Sequence, residues 1–113
     1  MKRAVLWLIA VVAPAAVGQA QDAGDPKHGL AIARQVCAEC HAVQTLELKS
    51  PNPKAPTFPE LAKTPGMTSA ALTVALTTPH AGMPMFRLSA EQRTDIIAYI
   101  MGLKQSGPQP GKQ

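Results

Sequence analysis

Cys37-Ala38-Glu39-Cys40-His41 is the stretch of this chain best equipped for chemistry. A C-x-x-C-H run is the spacing of a c-type haem attachment site. Two thiols three residues apart can add to the two vinyl groups of one haem. The next residue then offers an imidazole to the iron from the same side. Other uses of the motif need surroundings that this sequence does not supply. A thioredoxin-like dithiol wants a βαβ setting, and no strand-like alternation surrounds Cys37. A structural zinc site wants four ligands, whereas His28 and His80 lie far from the cluster in sequence. Copper at the later methionines would leave both cysteines unexplained. A disulfide across so tight a loop would be a poor structural staple.

Haem iron in an electron carrier needs a second axial ligand. A methionine thioether is soft and neutral, and His/Met ligation raises the potential. The candidates outside residues 1–20 are Met67, Met83, Met85 and Met101. Met101 sits on a helical stretch beside its apolar stripe, and Met67 precedes a helix cap. Met83 and Met85 occupy Pro79-His80-Ala81-Gly82-Met83-Pro84-Met85-Phe86, a stretch with neither helical nor strand period. A loop of that kind can aim a ligand. His80, three residues before Met83, offers bis-histidine ligation as an alternative. A peroxidase-like open iron would require that neither Met83 nor Met85 bind.

The elements that must position these residues are helical. Asp25 is a strong N-cap and Pro26 suits the first helical position. Gly29, Ile32, Ala33, Val36 and Cys37 then share one face. Gly29 inside this helix costs about 1 kcal/mol against Ala, which a close helix–helix approach would explain. Residues 42–57 read as a loop punctuated by Pro51, Pro53 and Pro56, with Val43 and Leu46 available to cover a haem edge. Pro59 opens one or two helical turns, which Thr64-Pro65-Gly66 ends. Thr68 or Ser69 caps the next helix, whose Ala71, Leu72, Ala75 and Leu76 share a face before Pro79. Ser89 and Gln92 form a capping box for the last helix, with Ile96, Tyr99, Ile100 and Leu103 as its stripe and Gly107-Pro108 as its stop. The expected fold is all-α, with three main helices and one short one.

The 113 residues suit one domain. Lys2 and Arg3, the apolar run Ala4 to Ala13, and small residues through Gly18 and Ala20 describe a secretory signal peptide, with cleavage after Ala20. The run is shorter than the roughly twenty apolar residues of a bilayer span. The expected organisation is therefore a signal peptide at 1–20, a haem domain at 21–105 and a flexible tail at 106–113. Removing Lys2 and Arg3 lowers the formal charge from +4 to +2. That balance, without a basic cluster, gives no support for nucleic-acid binding. Export agrees with covalent haem attachment, which takes place outside the bacterial cytoplasm.

From Asp25 to Leu103 the chain resembles the small bacterial class I cytochromes c. The resemblance rests on Gly29 eight residues before Cys37, on Met83-Pro84, and on Leu88-Ser89-x-Glu91-Gln92 followed by Asp95-Ile96-Ile97-Ala98-Tyr99-Ile100. It implies thioether links at Cys37 and Cys40, one haem c, His41 as proximal ligand and Met83 as distal ligand. It also implies crossing of the first and last helices, with Gly29 and Ala33 against Ile96 and Tyr99. Pro56 is implied to offer its carbonyl to His41. Two positions depart from the pattern: Ala33 stands where many relatives carry an aromatic, and Met85 competes with Met83. The implied function is periplasmic one-electron transfer, as a monomer or as the haem subunit of an exported dehydrogenase complex. Redox partner proteins would meet the exposed haem edge, where Arg34, Lys49, Lys54 and Arg87 could steer acidic surfaces. His28 reads as a solvated helix residue.

Overall fold

Every helix among the described residues is set by a side-chain cap. The computed structural model describes residues 24–105. The expected signal peptide, its cleavage point, the tail at 106–113 and the Gly107-Pro108 stop lie outside the described residues. Helix α1 (Pro26–Val36) begins at Asp25, whose carboxylate accepts from the amides of Lys27 and His28. Helix α2 (Phe58–Lys63) begins at Thr57, which exchanges hydrogen bonds with Glu60 as a capping box. Helix α3 (Ser69–Thr77) is capped by Thr68, and α4 (Ala90–Leu103) by the Ser89–Gln92 box. The described residues form no strand; a lone β-bridge joins His80 and Met83. The fold is all-α.

Helix α4 packs against each of the other three. Its Ile96, Ile97, Ile100 and Leu103 are buried, together with Ile32, Ala33 and Cys37 of the α1 end, Val43, Phe58, Ala62 and Leu72. Burying one such aliphatic side chain is worth about 2 kcal/mol. Several together outweigh the roughly 1 kcal/mol that Gly29 costs its helix. At Gly29 the two helices touch backbone to backbone: a Cβ there would run into the Asp95 carbonyl and the Ile96 amide. The crossing of the first and last helices thus follows from a missing side chain.

Some details differ from the sequence expectation. The short helix starts at Phe58, one residue before Pro59, because Thr57 and Glu60 cap it. Of the four apolar residues assigned to one face of α3, only Leu72 is fully buried, and Ala71 is exposed. Helix α4 ends at Leu103, where the Lys104 amide turns back to Met101 and Gly102, well before Gly107. Leu46 is 90% exposed, whereas Val43 belongs to the core. His28 is not simply solvated, because its Nδ1 reaches the buried Asp95 carboxylate.

Candidate haem c site

Cys37 is both the C-cap of α1 and the first residue of the motif. Its carbonyl accepts from the amides of Cys40 and His41, at 3.2 and 2.9 Å. The motif is therefore a tight turn fastened to the end of a buried helix. The following loop is tied back to it: Asn52 N donates to Cys40 O at 3.1 Å, and Ala42 N to Ser50 Oγ at 3.0 Å. These bonds bring Pro56 to the motif, where its carbonyl accepts from His41 Nδ1 at 2.7 Å. A carbonyl can only accept, so Nδ1 carries the proton and Nε2 keeps its lone pair. The ring also leans on Phe58, 5.6 Å between centroids, and Phe58 on Tyr99, at 6.4 Å.

The two cysteines are free, Cys37 buried and Cys40 half-buried. Burial pushes the Cys37 thiol up to about 11. A reactive C-x-x-C dithiol has its attacking thiol shifted the other way, so the dithiol reading finds no support. Among the described residues, no cluster of three or more His, Cys, Asp or Glu side chains could hold a metal ion, which leaves the zinc reading without support as well.

A cavity of about 290 Å³ opens on the motif. Cys37, Cys40 and His41 line it, with Ala55 and Pro56 from the loop. His80, Met83, Pro84 and Phe86 line it from the segment between α3 and α4. That segment folds back through a tight turn: Met83 N donates to His80 O at 3.4 Å, and Gly82 holds φ +80° at the third position. A type II turn demands φ > 0 there, hence glycine. The turn brings His80 Nε2 to 3.0 Å from Met83 Sδ.

A family model described as cytochrome c oxidase, cbb3-type, subunit III matches residues 24–100. The cytochrome c-552 of Bradyrhizobium diazoefficiens is 34% identical over 102 residues, covering 90% of this chain and 94% of that protein. The chain belongs to the cytochrome c family. No solved structure matches it significantly. As a cytochrome c it is a c-type haem electron carrier, holding haem c through covalent links and exchanging electrons with redox partners.

The residues present fit that group. The cavity gathers two free thiols, two imidazoles and a thioether among mostly apolar walls, a donor set suited to an iron macrocycle. Met83 lines this cavity. Met85 does not: it is 52% exposed and borders only a small adjoining pocket. Of the four basic residues expected around the edge, Lys54 alone lines the cavity, and Arg34 is turned to Gln44 at 2.9 Å. Lys49 and Arg87 are exposed. Among the described residues no helix is long and apolar enough to cross a membrane. Sequence reasoning missed the Thr57–Glu60 box, although its T-x-x-E spacing was visible in the chain. It also missed the Tyr99 hydroxyl, which donates to Val43 O at 2.5 Å.

Proposed function

We propose that this cytochrome c is a periplasmic, monomeric one-electron carrier with a single haem c, bound through Cys37 and Cys40 and ligated by His41 and Met83. When bound, that haem supplies an iron that takes up and releases one electron. The observation that carries the reading is the cavity itself, which Met83 shares with Cys37, Cys40 and His41 and which Met85 does not reach. Pro56 orients the His41 ring and strengthens its Nε2 as a donor, since a partner on the far ring nitrogen fixes the tautomer and raises basicity. Phe58 backs the His41 ring and Pro84 lines the cavity with rigid apolar surface, so little rearranges when the charge of the centre changes. A neutral thioether at the distal position favours the reduced state. The signal-like residues 1–20 support export to the periplasm.

Absorption spectra of the oxidised protein test the ligand set. Loss of the Met–iron band in Met83→Ala but not in Met85→Ala is the expected outcome. Loss only in Met85→Ala would transfer the role. A second reading, a haem subunit of an exported oxidoreductase complex, is favoured by one observation: the matching family model is named for an oxidase subunit. Native mass spectrometry of the purified protein separates the two, a lone haem-bearing chain supporting the free carrier.

A further inference from the structure

Two imidazoles face this cavity, and their backbone partners have the same form. His41 places Nδ1 on the Pro56 carbonyl at 2.7 Å, and His80 places Nδ1 on the Thr78 carbonyl at 3.3 Å. Histidines that bind metal commonly hold one ring nitrogen on a backbone carbonyl and present the other. In His41 the nitrogen left over is Nε2; in His80 the same nitrogen is turned to a thioether, which can only accept a hydrogen bond. That of His80 lies 3.0 Å from Met83 Sδ, the atom assigned to the distal position. The arrangement is built into the backbone, because the turn at Gly82 fixes His80 against Met83 and the β-bridge joins the same two residues. Met83 and His80 therefore offer a soft and a harder donor at nearly one place.

We propose that His80 is a reserve axial ligand, whose Nε2 takes the distal position on the haem iron whenever the Met83 thioether leaves it. This rests on the His41/Met83 reading above. The exchange is a ligand substitution: one lone pair replaces another, and no electron changes hands. Imidazole suits Fe(III) better than a thioether does, so the oxidised protein is where the reserve acts.

The test uses the oxidised haem-loaded protein and three variants: Met83→Ala, His80→Ala and the double variant. Met83→Ala is expected to lose the Met–iron band yet stay low-spin and six-coordinate, with a bis-imidazole electron paramagnetic resonance signature. The double variant is expected to turn high-spin. A Met83→Ala protein that lacks the band and is as high-spin as the double variant overturns the reserve role while leaving the Met83 assignment standing. A band that persists in Met83→Ala overturns both. Should Met83→Ala fail to accumulate, cyanide binding to His80→Ala decides. With the reserve removed, oxidised His80→Ala is expected to take up cyanide several-fold faster than the wild type, and equal rates sink the proposal.

Discussion

His28 of α1 and Asp95 of α4 meet at 2.6 Å across 67 residues of sequence, the ring Nδ1 donating to the carboxylate. The same carboxylate accepts from the Asp25 amide at 2.7 Å. One buried acid thus fastens both the cap and the first turn of α1. The hydrogen bond to Asp95 raises the His28 pKa above its ordinary 6.5, and the bond from His28, then that from Asp25, lowers Asp95 below its ordinary 3.8. The contribution of His28 is therefore complete below pH 6.5 and lost as pH rises through its raised folded value. That of Asp95 is present above pH 3.8 and lost as pH falls through its lowered one. In thermal melts, the gap between wild type and His28→Ala is expected to be widest from about pH 4 to 6.5 and to narrow on both sides. Parallel curves across pH would show that the pair does not couple the helices.

Gly29→Ala should destabilise the protein in spite of the better helix propensity of alanine. The added methyl group would meet the Asp95 carbonyl and the Ile96 amide, which are backbone and cannot rotate away. Overpacking of this kind costs about 1–3 kcal/mol, against a propensity gain of about 1 kcal/mol. Denaturant unfolding of the haem-loaded protein is expected to show a lower midpoint, and an unchanged or raised midpoint would contradict the close crossing.

Gly82→Ala meets no neighbour within 4 Å. Its effect comes from the backbone, since φ +80° costs a residue with a Cβ about 1–2 kcal/mol. That cost should favour open forms of the Met83 turn by about 5- to 30-fold. The expected reading is a weaker Met–iron band and faster cyanide uptake, with helical circular dichroism retained. A wild-type band would mean that the turn does not position Met83.

Tyr99→Phe tests a single hydroxyl. Tyr99 donates to the carbonyl of Val43, a residue 1% exposed, and burial pushes the phenol up, so the proton stays on the oxygen. Removing the donor leaves a buried carbonyl unsatisfied, at about 1–3 kcal/mol. The unfolding midpoint should fall while the haem spectrum keeps its position.

The helices were legible because their caps are local. Asp25-Pro26 and Ser89 with Gln92 each announce a helix within four residues, and Gly29 announces the crossing by being costly anywhere else. Cys37-x-x-Cys-His was legible for the same reason. The links from His28 to Asp95 and from Tyr99 to the Val43 carbonyl were not, because each joins groups more than fifty residues apart and nothing near either partner signals the other. Val43 and Leu46, paired in the sequence as possible cover for a haem edge, part in the structure: Val43 enters the core, while the loop bonds of Glu47 to the Val43 and Gln44 amides leave Leu46 outside. Met83 and Met85 could not be separated by type or by loop membership. In the structure Met83 lines the cavity beside the motif and Met85 does not, a difference of backbone course that residue type alone does not carry.

The site is built from halves of unequal depth. Cys37 is part of the buried core, while residues 80–87, apart from the half-buried Met83, are exposed. Amide exchange should divide along that line. Amides of α1 and α4 around Ile32 and Ile96 would exchange only through global unfolding, and those of residues 80–86 through a cheaper, sub-global opening. On the proposed ligation, residues 80–86 would lift away while the links at Cys37 and Cys40 and the His41 ring stay docked. On that ligation, detachment of the distal ligand and loss of the cofactor would then be separate events on separate timescales.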